Sequence, residues 1–171
     1  MKNVNIKIDL DENIVCFCKE KISEDIDVED YIKKIVETIT QEEKIFTEEI
    51  SVSIMSADKL MIREYNKKYR GIDRVTDVLS FPIFTKEELS IIRNTNDEKK
   101  IKSLELGDIL ICLDIVEVQA VEYETGLLRE LLYMITHAMC HLVGYDHIEQ
   151  EEKKEMRVLE EKILNKIGVA K

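Results

Sequence analysis

The only three histidines of the chain fall within one eleven-residue segment, HAMCHLVGYDH, and this clustering constrains the local fold more than any other feature. His137 and His141 are four residues apart near the end of an apolar stretch that predicts a helix over Leu127–Leu142. Side chains at that spacing project from one helix face, one turn apart. Gly144 permits a backbone conformation that other residues resist, so the chain can turn there and bring His147 back toward the same point.

This geometry predicts a metal site. Two imidazoles one helical turn apart can reach a common ion at about 2.0–2.1 Å, and His147 can approach it from another direction. Three neutral imidazoles leave a fourth position open for water, which is typical of catalytic rather than structural zinc sites. We therefore expect one zinc ion per chain, bound by His137, His141 and His147.

The spacing H-x-x-x-H-x-x-G-x-x-H also matches the metzincin peptidases in its ligand positions and its glycine. Those enzymes have Glu directly after the first histidine as a general base, whereas this chain has Ala138. A metallopeptidase with a displaced base is thus one alternative. Others are satisfied helix histidines without a metal, and a structural site closed by Cys140 or Asp146. We favour a buried core thiol for Cys140 and a capping or ligand-orienting role for Asp146.

The remaining pattern predicts a single α+β domain over residues 1–171, with helices packed on a mixed four-stranded sheet and a zincin-like metal helix. The predicted strands are Asn5–Asp9, Ile50–Met55, Val75–Phe84 and Gly107–Asp114. The predicted helices are Val28–Thr40 capped by Asp27, one capped by Ser56 and running to about Tyr69, Ile115–Glu124, Leu127–Leu142, and Ile148–Ile167. Pro82 indicates a sheet edge, and the charged segment Lys86–Leu104 predicts an exposed loop with at most a helical turn.

The charge distribution narrows the choice of partners. The net charge is −11, which argues against a generic basic nucleic-acid coat protein. Residues 59–74 are the exception, because this segment contains six basic residues and only two acidic ones. Tyr65 and Tyr69 lie among these charges in the sequence. Basic groups can neutralise phosphates and aromatic rings can stack on unpaired bases, so this segment predicts contact with single-stranded RNA. The alternative for its individual lysines is a solvated helix face.

Other features favour a cytoplasmic protein with no membrane association. The four cysteines form no disulfide framework, and the sequence shows neither a signal-peptide pattern nor an apolar run long enough to span a bilayer.

Two separate motifs resemble the YbeY family of metal-dependent endoribonucleases, also called rRNA maturation factors. They are HLVGYDH and the upstream NKKYRGIDRVTDVLSFP, which occur in the family's order. LGDILICLD and the closing EEKKEMRVLEEKIL also fit, so the resemblance covers residues 50–165. This chain has Ala138 where the family usually has Gly and Cys140 where it usually has Leu, and its segment after Lys86 is longer.

The resemblance implies that His137, His141 and His147 bind zinc and that Arg70 is a further active-site residue. It also implies cleavage of single-stranded RNA in the maturation of small-subunit ribosomal RNA and in ribosome quality control. The implied partners are the small ribosomal subunit and an Era-type GTPase. A non-catalytic, zinc-stabilised, ribosome-associated module is another alternative. For the other polar members of the motif a structural role is the favoured interpretation; these are Asn66, Asp73, Thr76, Asp77 and Ser80.

Overall fold

A mixed four-stranded sheet forms the centre of the computed structural model, which describes residues 4–95 and 101–169. Its strands are β1 (Asn5–Leu10), β2 (Glu49–Ser56), β3 (Val78–Pro82) and β4 (Ser103–Ile111), in the order β1-β2-β4-β3. The β1–β2 and β2–β4 pairs are parallel, while β3 runs antiparallel to β4 at one edge. This confirms the predicted sheet, and Pro82 lies at the end of an edge strand as expected.

Seven helices connect and cover these strands within the described residues. They are α1 (Glu12–Lys21), α2 (Val28–Glu42), α3 (Lys59–Arg70), α4 (Lys86–Arg93), α5 (Leu113–Glu122), α6 (Leu127–Leu142) and α7 (Gln150–Lys166). None of the helices in the described ranges is long and apolar enough to cross a bilayer.

The main core lies on the sheet face that carries α2 and α6. Asp27 caps α2 by accepting a hydrogen bond from the Asp30 amide, which confirms the predicted cap. Apolar residues at helical spacing on α2 and α6 are fully buried there, because each helix turns one apolar stripe toward the strands. Since α6 contacts α2, α5, α7, β3 and β4, its C-terminal end is held by most of the fold.

A smaller cluster lies on the other face of the sheet, beneath α3. It contains Ile62 of α3 and Leu79 and Leu110 of the β3–β4 pair, with Ala57 and Cys112. The side chains of β3 therefore divide between two surroundings: Leu79 faces α3, whereas Val78 packs against the main core. The edge strand consequently separates α3 from α6, and only a long side chain can reach from one to the other.

Two sequence predictions need correction, and one helix was missed. Ser56 is not the cap of α3; Asp58 accepts the Met61 amide instead, and the Ser56 hydroxyl donates to Asp11. The helix α1 was not anticipated. The segment after Thr85 forms a two-turn helix rather than a loop, because Thr85 and Glu88 make a reciprocal capping box. The part of the predicted loop at residues 96–100 lies outside the described residues.

Candidate metal centre

The last turns of α6 bring two imidazoles together. The rings of His137 and His141 have centroids 4.8 Å apart, and their Nε2 atoms are separated by 3.3 Å. The four-residue spacing accounts for this contact, since both side chains project from the same face of one helix. Both rings are partly buried, because the opposite face of α6 packs into the main core.

A tight turn after α6 returns the third imidazole to this pair. Gly144 has a φ of +98°, and the Tyr145 amide donates to the Cys140 carbonyl at 3.0 Å, which closes the helix end. The His147 ring then lies with its centroid 5.6 Å from that of His137 and 5.1 Å from that of His141. One nitrogen from each ring lies within 4.8 Å of the other two, so the three residues form a group that could hold a metal ion.

The hydrogen-bonding of His141 leaves its Nε2 atom free to bind a metal ion. Its Nδ1 lies 2.9 Å from the Tyr145 carbonyl oxygen, which can only accept, so Nδ1 carries the hydrogen. In the neutral ring the lone pair is then on Nε2, facing His137. Burial, followed by the neighbouring His137, lowers the pKa of His141 to about 4, which keeps the ring neutral near pH 7.

The spacing of the nitrogens also fits a metal. Two nitrogen ligands at about 2.0–2.1 Å from a tetrahedral ion are about 3.3 Å apart, and the Nε2 atoms of His137 and His141 are 3.3 Å apart. His147 is exposed, so the group opens to solvent on one side. Three imidazole nitrogens with an open side suit zinc and leave room for a substrate oxygen.

The two candidate fourth ligands have other roles. Cys140 is fully buried in the main core, and this burial raises the pKa of its thiol well above the usual value. The Asp146 carboxylate accepts the His147 amide at 2.7 Å and so stabilises the turn. Among the described residues, the group of candidate ligands around the three histidines contains neither of them.

A cavity of about 280 Å³ opens beside the three rings and is walled by α6 on one side and by α3 and β3 on the other. The Arg70 guanidinium reaches past the edge strand to this cavity and donates to the Ser80 carbonyl at 3.3 Å. Tyr133 forms part of the α6 wall, and burial, together with the nearby Glu160 charge, raises the pKa of its hydroxyl to about 12. The lining residues are Arg70, Thr76, Asp77, Val78, Ser80, Tyr133, Met134, His137, Ala138, His141 and His147.

Local hydrogen bonds engage the motif residues before and within β3. Asp77 accepts the Val78 amide at 2.8 Å and an amide hydrogen of Gln119 at 3.3 Å. The buried Asn66 donates to the Arg74 carbonyl at 3.0 Å and thereby holds the chain after α3. Because α3 ends at Gly71 with a φ of +72°, this bond helps to fix the direction in which Arg70 leaves the helix.

Several side chains of the basic segment, residues 59–74, are already engaged in contacts within the protein. Arg63 and Lys67 both contact Asp73, at 2.8 Å and 3.9 Å. Tyr65 and Tyr69 stack with centroids 5.7 Å apart, and the Lys68 ammonium lies 5.2 Å from the centroid of the Tyr69 ring. Tyr69 is half exposed, so it presents both a ring and a neighbouring positive charge to solvent.

One set of contacts around the centre was not anticipated from the sequence. The Tyr145 hydroxyl donates to Glu43 at the end of α2, and the other Glu43 oxygen accepts from Arg93 of α4 at 2.8 Å. Gly144 packs against Lys86, the first residue of α4, so closely that an added Cβ would lie 3.3 Å from the Lys86 Cα. The turn that carries His147 is thus braced by α2 and α4. The four-residue capping-box pattern of Thr85 was the available signal for α4.

Comparison with known proteins identifies the family. The family model described as "Endoribonuclease YbeY" matches residues 15–168. The chain belongs to the YbeY family.

Curated relatives carry the same description. A YbeY protein from Caldicellulosiruptor bescii is 37% identical over 152 residues, which cover 85% of this chain and 93% of that protein. One from Clostridium botulinum (strain Loch Maree / Type A3) is 38% identical over 158 residues, covering 88% of this chain and 95% of the relative. A solution structure from Thermotoga maritima superposes with a TM-score of 0.53 at 24% identity, covering 94% and 90% of the two chains, and supports the fold.

Proposed function

We propose that this protein is a zinc-dependent, single-strand-specific endoribonuclease that acts in the cytoplasm on small-subunit ribosomal RNA, in its maturation and in ribosome quality control. The observation that carries the proposal is the cavity in which the three-histidine group and the Arg70 guanidinium face each other. Membership of the YbeY family, whose curated relatives are named endoribonucleases, supports the reaction class. The small ribosomal subunit and an Era-type GTPase are the partners proposed with it.

His137, His141 and His147 are the proposed metal ligands, and Arg70 is the proposed catalytic partner. These histidines would hold a zinc ion, which would supply Lewis acidity toward a phosphate oxygen and lower the pKa of bound water toward about 7. Arg70 binds the scissile phosphate on the opposite wall, because its planar guanidinium keeps further N–H donors beyond the one directed at Ser80. These donors stabilise the negative charge that grows on the phosphate oxygens in the transition state.

The immediate neighbour of His137 supplies no general base. Ala138 replaces the metzincin glutamate, and the Asp146 carboxylate is engaged by the His147 amide. The reaction proton therefore goes to solvent, to Asp146, whose carboxylate keeps further acceptor sites, or to the RNA. This arrangement disfavours peptide hydrolysis, which needs a base to assist water attack and an acid to protonate the departing amine.

The exposed part of α3 is the proposed path of the RNA into the cavity. Lys68 and Tyr69 lie beside Arg70 in sequence and offer a positive charge and a ring for an unpaired base. The acidic remainder of the chain repels phosphates elsewhere, so this surface is where RNA is retained. Weakening of binding by added salt is the expected signature.

The test is Arg70→Glu, compared with Lys68→Glu on the same helix. Both variants change the charge by the same amount, but only Arg70 lines the cavity. Cleavage of a single-stranded RNA should fall at least about 100-fold in kcat for Arg70→Glu while stoichiometric zinc is retained, since removing one donor directed at the developing transition-state charge typically costs about 2.7–4 kcal/mol. Lys68→Glu should mainly raise KM.

Three outcomes would contradict the proposal. Full kcat in Arg70→Glu would remove this residue from the mechanism. A metal-loaded protein that cleaves casein but not RNA, in parallel digests with and without a chelator, would favour the peptidase. Loss of folding on chelation, without any RNA cleavage by the loaded protein, would favour the non-catalytic module.

A further inference from the structure

A buried carboxylate on α7 lies directly behind one of the candidate metal ligands. Glu160 is only 5% exposed, and its Oε2 atom is 3.5 Å from the Nδ1 atom of His137. Neither atom has a hydrogen-bond partner among the described residues. The separation exceeds the usual hydrogen-bond range by a few tenths of an ångström, which a small side-chain rotation closes.

The cost of burying a carboxylate favours a hydrogen bond between Glu160 and His137. A carboxylate withdrawn from water costs several kcal/mol unless it is paired or hydrogen-bonded. His137 is the group that faces the unpartnered Oε2, and its Nδ1 is equally buried and unpartnered. One N–H···O bond between the two atoms satisfies both.

We propose that Glu160 is a positioning residue of the metal centre, whose carboxylate accepts the Nδ1–H of His137 and so holds the Nε2 lone pair toward the ion. This inference rests on the proposed metal site but not on the proposed RNA substrate. A ligating histidine commonly gives its second ring nitrogen to a carboxylate or carbonyl, which fixes both the tautomer and the ring orientation.

The neighbouring ligand shows the same arrangement with a different acceptor. His141 gives its Nδ1–H to the neutral Tyr145 carbonyl at 2.9 Å, whereas His137 faces a charged group. A carboxylate that accepts the Nδ1–H makes the other ring nitrogen a stronger electron-pair donor to a metal than a neutral carbonyl does. The Tyr133 ring stacks on the His137 ring with centroids 6.2 Å apart. The His137 ring is therefore contacted on one face by Tyr133 and at its Nδ1 edge by the Glu160 carboxylate.

The placement of Glu160 also gives α7 a function. This helix packs against both α6 and α2, and it buries Met156, Leu159 and Ile163 in the main core. The carboxylate therefore reaches His137 from a rigid element that supplies no metal ligand itself. A displacement of α7 would therefore change the orientation of the His137 ring through the single hydrogen bond to Glu160.

The test separates metal affinity from stability. Glu160→Gln preserves the side-chain shape but removes the charge, Glu160→Leu removes the acceptor, and Glu160→Asp keeps the charge on a shorter stem. Zinc dissociation constants come from competition with a chromophoric chelator, the free energy of unfolding of the metal-free protein from urea titration, and ligand geometry from the visible spectrum of the cobalt-substituted protein. The exposed Glu161, mutated to Gln, is the matched control on the same helix.

The expected result for Glu160→Gln is a loss of zinc affinity without a matching loss of stability. Zinc affinity should fall about 10–100-fold for Glu160→Gln and further for Glu160→Leu, with Glu160→Asp retaining more affinity than Gln. The stability of the metal-free Glu160→Gln protein should stay close to that of the parent, because the Gln amide oxygen can still accept the Nδ1–H and the cost of burying a charge is removed. A residue with a merely structural role would lower stability without this selective loss of affinity. Glu161→Gln should change the zinc dissociation constant by no more than about twofold and should leave the midpoint of urea unfolding unchanged.

Unchanged zinc affinity in folded Glu160→Gln and Glu160→Leu proteins would overturn the proposal, and so would a parent protein that binds no zinc. If Glu160→Leu does not fold, Glu160→Gln and Glu160→Asp carry the same comparison. A parent protein that binds zinc but cleaves no RNA would refute the proposed function alone, while the affinity comparison would still decide the role of Glu160.

Discussion

Loss of the Tyr145 hydroxyl is a direct test of the contacts that brace the turn carrying His147. Tyr145 donates to Glu43, whose carboxylate is held on its other side by Arg93, and the Tyr145 carbonyl accepts from His141. Burial, followed by the Glu43 hydrogen bond, raises the pKa of the Tyr145 hydroxyl above its usual value, so it remains a donor at every pH of interest. Tyr145→Phe removes this one bond and leaves the ring in place.

The magnitude follows from the contacts. A hydrogen bond to a charged acceptor contributes about 1.5–3 kcal/mol, and the Glu43 side chain is only 11% exposed, so little water can replace the hydroxyl. Because Arg93 still neutralises Glu43 at 2.8 Å, we expect the free energy of unfolding of the metal-free protein to fall by about 2 kcal/mol rather than the upper value.

Urea unfolding of a double-mutant cycle measures this contact. The cycle combines Tyr145→Phe with Glu43→Gln, and its coupling free energy should reach about 1 kcal/mol or more, since the two side chains share one hydrogen bond. Tyr123→Phe is the control, because that tyrosine is largely exposed. Additive effects in the cycle, or a Tyr145→Phe variant as stable as the parent, would show that the brace does not stabilise the turn.

Two further results are expected. The pKa of His141 is about 4 in the folded metal-free chain against 6.5 ordinarily, so the unfolded chain binds more protons between these values. The free energy of unfolding should therefore fall by about 2 kcal/mol between pH 7 and pH 4.5, allowing for partial exposure of the ring, and urea titrations should show a smaller fall in His141→Gln. Gly107→Ala should destabilise the protein by at least about 2 kcal/mol, because φ is +140° and a Cβ would meet the Phe81 carbonyl oxygen in the paired strand. Gly126→Ala, with positive φ but open space around it, should cost less in the same assay.

The features that sequence reasoning predicted best are local ones. The spacing of His137, Gly144 and His147 determines the metal-site geometry within a few residues, and α6 has the predicted bounds, Leu127–Leu142. The four strands were predicted for the same reason, since alternating or continuously apolar runs report on the faces of a sheet. The position of Arg70 opposite the histidines followed from the family resemblance, and its catalytic role stays a prediction.

The missed features depend on weak local signals or on distant contacts. The helix α1 buries only Ile14 and Cys18 completely, so its apolar stripe is too narrow to stand out from its charged neighbours. In the same way, α4 buries only Leu89. The residues behind the ligands have no signature at all, because Glu160 and Glu43 are ordinary acidic residues until the folded chain places one near His137 and the other near Tyr145.

The order of these elements along the chain bears on how the protein acquires its ion. During synthesis the three imidazoles are all made before Glu160, so a nascent chain that ends shortly after His147 has every proposed ligand but not the acidic side chain behind the first of them. On the proposed role of Glu160, tight zinc binding has to wait until α7 has docked on α6. Zinc uptake would thus report completion of the tertiary structure rather than mere presence of the histidines.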